Sequence, residues 1–470
     1  GESSKMATSP HPPTSPLCSP FLLLLLLLSL IASPLQGATA SHGGDRYHVA
    51  PVTSLLPPSA CRPSSKVPKG ASLGVIHRHG PCSQSRGDAP TLAHTLALDQ
   101  LRVDSIHSRL SSRAFMDSKP TIPAKSGRPI GTGNYVVTLS LGTPEKSLTV
   151  VFDTGSDLTW IQCLPCPTCY RQVDPLFNPS ASTTYANVSC ASATCTEIGP
   201  AACAGATCGY RIRYGDGSAT AGWVANDALR LGASDAVGGF VFGCGQSNTG
   251  LFEGAAGILG LGRDDSSIVS QTAGRYHRVF SYCLPTTGGS NGRLTFGAAG
   301  GGSGGVMYTP LASRGTSLYF IELAEISVGG RPLSIPAAVF GRGTLIDSGT
   351  VVTRLPAEAY AALRSAFRQG MRNYTMVAPS IALFDTCYDL SQYDTVSIPT
   401  ISLAFAGNAK IEMRLTGTLI GPSTAELCLA FAGNRYEDST AILGNLQQVT
   451  YDITYDVGGN RLGFRQGGCD

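Results

Sequence analysis

Two short runs in the 470-residue chain close an apolar stretch on the same pattern: Asp153-Thr154-Gly155 follows "VVF", and Asp347-Ser348-Gly349 follows "TLI". A single Asp-[Thr/Ser]-Gly turns up by chance in every few chains of this length. Two alone, each at the end of an apolar strand, are poorly explained that way. Each reads as a strand ending in a tight turn, where Gly lets the backbone fold back and the Thr or Ser hydroxyl can bond across to the opposite loop. Two carboxylates held about 3 Å apart cannot both ionise comfortably, so they share one proton and titrate in two separated steps. Such a pair is an acid and a base at once. Its ionised member can take a proton from a water that attacks a peptide carbonyl, while its protonated member donates to the developing oxyanion. This chemistry asks for no metal, no cofactor and no covalent intermediate.

To bring the two Asp loops together the chain must supply two similar scaffolds, and a weak internal duplication does so. "YVVTLSLG" (135–142) precedes the first Asp run and "YFIELAEISVGG" (319–330) the second. About a hundred residues after each Asp comes an apolar-apolar-Gly element, "GILGLG" (257–262) and "AILGN" (441–445), each readable as a buried strand passing beneath its Asp loop. With 56 Gly, 2 Trp and many short β-branched runs, the composition points to a turn-rich β body. Hydrophobic residues at 42% and charged ones at 14% give ample material for a core. The expected fold is mainly β with short helices, bilobal, with the active site between two similar lobes.

The ends and junctions are also legible. "FLLLLLLLSLIA" (21–32) has the length of a signal-peptide core, short of the roughly 18–20 residues of a membrane span, and "ATA" (38–40) offers a cleavage site. Residues 1–130 carry 13 Lys+Arg against 6 Asp+Glu, whereas 131–470 carry 21 against 25, so a basic segment precedes an acidic body. Within the basic part, Leu96, Leu98, Leu101, Val103, Ile106 and Leu110 recur at helical spacing and predict one amphipathic helix over 91–110. "PAKSGRPIGTG" (123–133) then reads as a linker open to proteolysis. The domains expected are a signal peptide at 1–40, a propeptide at 41–130, an N-terminal β lobe at 131–310 and a C-terminal β lobe at 311–470. The charge split implies a zymogen: the basic segment is held over the acidic cleft at neutral pH and let go as carboxylates protonate near pH 4.

Cysteine usage agrees with secretion. Twelve of the 15 cysteines fall after residue 130, enough for six disulfides. "CLPCPTC" (163–169) could instead suggest zinc, but no His lies between Cys163 and Cys208. Sequons at Asn187 and Asn373 fit the same route as glycosylation sites.

Taken together, "FDTGSDLTWIQC", "YGDGS" (214–218), "IDSGT" and "AILGN" occur in the order of the pepsin-type aspartic proteases, which residues 131–470 resemble, most closely the nepenthesin-like plant branch with its Cys-rich insertion at 163–208. "HRHGPC" (77–82) resembles the prosegments of a subgroup described as chloroplast nucleoid DNA-binding. The resemblance implies that Asp153 and Asp347 are catalytic, that Ser156 and Thr350 bond their outer oxygens, and that Thr154, Gly155, Ser348 and Gly349 build and brace the loops. It implies further that Tyr214 is a flap tyrosine whose hydroxyl receives the Trp160 indole N–H, both facing substrate. The disulfides it implies are Cys163–Cys166, Cys169–Cys244, Cys190–Cys208, Cys195–Cys203, Cys283–Cys469 and Cys387–Cys428.

The protein expected is therefore a secreted, monomeric aspartic endopeptidase acting on proteins or peptides, with no membrane attachment, and with vacuole or plastid as alternative addresses. Two rival readings are a catalytically silent inhibitor-binding relative, as in plant xylanase inhibitors, and a plastid nucleoid protein that binds DNA. The first is marked by loss of one catalytic Asp, and both are present. The second fits poorly, because the body after residue 130 holds just two lysines, Lys146 and Lys410, and no basic run.

Overall fold

The computed structural model describes residues 39–42, 45–62, 70–83, 90–116, 135–198, 205–214, 217–232, 235–250, 254–289, 292–297, 305–436 and 439–467, together with Cys203, Phe252 and Cys469. The signal-peptide core, the linker at 123–133 and the Gly215-Asp216 turn of "YGDGS" lie outside the described residues.

Each Asp run is a strand clamped on both sides. Lys146–Asp153 pairs antiparallel with Tyr135–Leu141 and parallel with Gly257–Gly260, in a register that sets Gly260 opposite Asp153. Val150, Val151 and Phe152 are all buried, as the unbroken apolar run of a doubly covered strand requires. The second run repeats the plan: Thr344–Ile346 pairs parallel with Ala441–Leu443, which also meets Thr353–Leu355 antiparallel. Main-chain hydrogen bonds fix both Asp positions from below, Leu261 N–H to Asp153 O at 2.9 Å and Asp347 N–H to Leu443 O at 3.2 Å. Both apolar-apolar-Gly elements thus pass beneath their Asp loops as the duplication predicts. The fold is mostly β and bilobal. Among the described residues, a 14-stranded sheet holds the Asp153 strand and a separate five-stranded sheet holds the Asp347 strand. No helix among the described residues is long and apolar enough to cross a membrane.

The chain before residue 130 is woven into this body. Asp45–Pro51 pairs antiparallel with Thr395–Pro399, and Ser72–His77 lies between Gly292–Phe296 and Tyr135–Leu141. The amphipathic helix spans Leu92–Met116 and is called α1 here. Its apolar residues engage two patches of the Asp347 lobe: Leu96 packs with Val351, Val352, Ile381 and Phe384, and Val103 and Ile106 pack with Leu318, Phe320, Leu345 and Ile442. Leu101, assigned to the apolar face by spacing, is 44% exposed; Asp99 and Arg102 lie buried on the stripe instead.

Four of the disulfides differ from the pairing the resemblance implies. Cys163 joins Cys244, Cys166 joins Cys169, Cys190 joins Cys203 and Cys195 joins Cys208, in place of Cys163–Cys166, Cys169–Cys244, Cys190–Cys208 and Cys195–Cys203. Register is the reason for the first change. Trp160–Gln162 runs parallel to the 244 region with Ile161 opposite Cys244, and Cys163 N–H bonds Gly245 O at 2.9 Å, which sets Cys163 against Cys244. Cys283–Cys469 and Cys387–Cys428 are paired as the resemblance implies. A further bridge, Cys61–Cys82, staples the segment before α1. Non-reducing peptide mapping should therefore recover a Cys163–Cys244 peptide and a Cys190–Cys203 peptide; recovery of Cys169 linked to Cys244 would contradict this arrangement.

Candidate functional site

The two Asp loops meet face to face at the ends of their strands. Thr154 and Ser348 brace them reciprocally: Ser348 N–H donates to Thr154 Oγ1 at 3.0 Å and Thr154 N–H donates to Ser348 Oγ at 3.2 Å. Asp153 and Asp347 are 2% and 0% exposed. Gly155 N–H reaches Asp153 Oδ1 at 3.1 Å and Gly349 N–H reaches Asp347 Oδ1 at 3.2 Å, so the two inner oxygens are held alike. Beneath Asp347, Asn445 Nδ2 donates to Ser348 O at 3.0 Å and Gln448 Nε2 donates to Asp347 O at 3.2 Å, which ties the "AILGN" strand end to the loop.

The outer oxygens differ. Thr350 Oγ1 donates to Asp347 Oδ2 at 2.5 Å, as the resemblance implies. Ser156 does not do the same for Asp153: Ser156 Oγ and Asp153 Oδ2 are buried with no hydrogen-bond partner among the described residues. The cation that occupies the site is asymmetric in the same sense, using two donors on Asp347 and engaging Asp153 through Oδ1.

That cation is Arg102 of α1, 1% exposed. Its Nε donates to Asp347 Oδ2 at 2.7 Å, and its Nη2 donates to both inner oxygens, Asp347 Oδ1 at 2.6 Å and Asp153 Oδ1 at 2.8 Å. The planar guanidinium lies against the two loop glycines, where a Cβ on Gly155 or Gly349 would run into it. One turn earlier on α1, Asp99 makes the reverse contact. Its Oδ1 accepts from Val351 N–H at 2.7 Å, and its Oδ2 accepts from Val352 N–H at 3.4 Å and from Arg354 Nη2 at 2.9 Å.

Sequence reasoning missed both charged residues because the helix was read for its apolar spacing. The available signal was the interruption: Asp99 and Arg102 stand three apart on the stripe of Leu96, Val103 and Ile106, a place where charges are almost never buried unpaired. Trp160 Nε1 donates to Tyr214 OH at 2.7 Å, the hydrogen bond the resemblance implies, and both side chains are buried in an aromatic cluster with Phe252. Asn187 and Asn373 are both exposed.

Two family models match the chain, "Xylanase inhibitor N-terminal" over residues 135–298 and "Xylanase inhibitor C-terminal" over 318–466. An aspartyl protease family protein of Arabidopsis thaliana is 47% identical over 443 residues, covering 90% of this chain and 93% of its own. The Arabidopsis aspartyl protease AED1 is 45% identical, covering 95% and 98%. Nepenthesin-2 of Nepenthes gracilis is 35% identical, covering 70% and 76%. Among solved structures, soybean basic 7S globulin matches with a TM-score of 0.57 at 21% identity, over 72% of this chain and 93% of its own, and lupine conglutin gamma with 0.58 at 20%, over 70% and 91%. These last two speak for the fold.

The charges at the site have distinct pH signatures. Burial alone pushes the Asp347 carboxyl up, but the Arg102 charge, with hydrogen bonds from Arg102, Thr350 and the Gly349 N–H, outweighs it and leaves the group below the usual carboxylate range. Its contribution to holding α1 is full above about pH 4 and is lost as pH falls below that toward the depressed value. Burial pushes Asp99 up, with Arg354 and the Val351 and Val352 N–H groups opposing it, so its protonation in acid favours the docked helix and works against release. His77, on the strand Ser72–His77, is pushed down to about 3 by burial and by the neighbouring His79 and Arg78. Its contribution is full above about pH 6.5 and is lost as pH falls from there toward 3. Hydrogen exchange on the full chain, corrected for intrinsic rates, should show the strand Ser72–His77 losing protection first, below about pH 6.5, and α1 only below about pH 4. Loss of α1 protection near neutral pH would contradict this order.

Proposed function

Because the chain belongs to the plant branch of the pepsin-type aspartic proteases, we propose that it is a secreted aspartic endopeptidase made as an acid-activated zymogen, with Asp153 and Asp347 as its catalytic pair. One observation carries this reading: a single atom, Arg102 Nη2, bridges the two inner carboxylate oxygens at 2.8 and 2.6 Å. With α1 gone, the same two oxygens are spaced to hold one water oxygen in its place.

Catalysis then follows from the pair sharing one proton. Without the cation, both carboxylates cannot stay ionised in a buried site, so one takes up a proton as pH falls. The ionised member removes a proton from the held water, the water oxygen attacks the peptide carbonyl carbon, and the protonated member donates to the carbonyl oxygen. Collapse of the tetrahedral intermediate breaks the C–N bond: the carboxyl that took the water's proton gives it to the leaving nitrogen, and a hydroxyl of the intermediate returns its proton to the other carboxylate, which regenerates the pair. The Thr154–Ser348 brace fixes the separation on which the proton sharing depends. Tyr214, steadied by Trp160, belongs to a hairpin that closes over an extended substrate. The signal-peptide reading, the exposed sequons and the seven disulfides among the described residues support secretion. The xylanase-inhibitor family models raise the silent alternative, but both Asp residues and both loop glycines are retained in bonding geometry, which favours activity.

The basic segment blocks the acidic body through one cation seated on two carboxylates, not through diffuse attraction, and acid loosens that contact as Asp347, held below the usual carboxylate range by Arg102, takes up a proton. Purified wild-type and Asp153→Asn precursors held at pH 3.5 and pH 7 test this: the wild type should process itself at low pH between Lys119 and Tyr135, and the mutant should stay intact. An uncleaved wild type at both pH values would overturn the zymogen reading. Asp153→Asn or Asp347→Asn should also abolish pepstatin-sensitive hydrolysis of a denatured protein by the processed enzyme, and a folded mutant within about tenfold of wild type would refute the pair assignment.

A further inference from the structure

The contact one helical turn from Arg102 has a chemistry of its own. Asp99 is fully buried, and among the described residues its side chain accepts from the consecutive N–H groups of Val351 and Val352 and from the Arg354 guanidinium, all of the Asp347 lobe. Three donors, one of them charged, therefore converge on a carboxylate just after the Asp347 loop. The cradle is built by the lobe itself. Arg354 sits on the strand Thr353–Leu355, held between Phe431–Gly433 and Ala441–Leu443, and its Nη1 donates to Val352 O at 2.7 Å. Its Nε is buried with no hydrogen-bond partner among the described residues, so α1 uses only part of the donor set. Farther along, Arg435 meets Asp104 of α1 at 3.5 Å, and a cavity of about 370 Å³ lined by Gln100, Asp104, His107, Arg354 and Arg435 runs beside the helix. On this side of the cleft α1 presents acids to arginines, opposite to its net charge.

Resting on the protease reading above, we infer that the Val351–Val352–Arg354 cradle is a substrate subsite for an acidic side chain, which Asp99 fills in the precursor, and that Arg354 is a specificity-determining residue of the mature enzyme. Side chains three apart on a helix lie about 5–6 Å from each other, and an extended peptide advances about 3.3 Å per residue. A substrate carboxylate can thus reach the cradle from about two or three residues away from the bond cut. Once α1 leaves, the burial that pushes Asp99 up is relieved while the Arg354 charge and the two N–H groups that oppose it remain, so an ionised Glu or Asp of the substrate restores the contact with charge-assisted hydrogen bonds.

The test uses the acid-processed enzyme and fluorogenic peptides of one neutral parent sequence, substituted with Glu or Gln at each of the three positions on either side of the cleavage site, assayed at pH 5, where glutamate is ionised. At one position Glu should exceed Gln by about tenfold in kcat/KM. Arg354→Gln should bring that ratio close to one relative to its own rate on the Gln peptide, and Arg354→Lys, which keeps the charge without the planar fork, should leave an intermediate ratio. If either variant does not fold, the wild-type ratio decides alone. Pepstatin-sensitive cleavage with a Glu/Gln ratio near one at every position, or a ratio unchanged by Arg354→Gln, would overturn the inference and leave the protease reading standing. Absence of pepstatin-sensitive cleavage of any peptide would overturn both.

Discussion

Two carboxylates buried side by side can both remain charged only if a cation shares them, and in this protein that cation comes from elsewhere in the chain. Arg102 is 1% exposed between Asp153 at 2% and Asp347 at 0%. Desolvating three charges is costly, and removal of one member of such a buried group typically costs about 3–5 kcal/mol because the others are left uncompensated. The surrounding structure is arranged around that requirement. The reciprocal Thr154–Ser348 bonds hold the carboxylates at one separation, and the two loop glycines leave room for a planar group to lie flat between them. Strands passing beneath each loop leave neither Asp free to turn toward solvent.

The helix that delivers Arg102 is held by means that respond differently to acid. Its apolar contacts, Leu96 on one patch and Val103 with Ile106 on another, are indifferent to pH. The Asp347 contact weakens in acid, whereas the Asp99 contact does not. Acid therefore loosens the centre of the helix while its flanks stay seated. The strand Ser72–His77, shared between sheet neighbours on either side, carries a half-buried histidine that adds a second, earlier acid-sensitive point.

How much of this the sequence discloses depends on whether the information is local. The two Asp-[Thr/Ser]-Gly turns, the strands that precede them and the apolar-apolar-Gly strands beneath them are legible because each is a short pattern with a fixed period. The helix over 91–110 is legible for the same reason, yet its function is not. Apolar spacing assigns Leu101 to the buried face, while the residues that matter, Asp99 and Arg102, are polar and are buried only because partners some 250 residues away await them. Cysteine pairing fails in the same way. Cys163 opposes Cys244 through the register of strands about 80 residues apart, which no spacing rule within "CLPCPTC" encodes. Ser156 illustrates the limit of analogy, since its counterpart position at Thr350 is bonded and it is not.

The account stands on the coupling between Arg102 and the carboxylates it bridges, and a double-mutant cycle measures that coupling directly. The docking free energy of α1 would be read by hydrogen exchange at neutral pH in the wild-type chain, Arg102→Leu, Asp347→Asn and the double mutant. A coupling of about 2 kcal/mol or more is predicted, with each single mutant far weaker than wild type and the double mutant little worse than either. Additive effects, with α1 equally protected whether or not Asp347 keeps its charge, would contradict the claim that this buried triad holds the site closed.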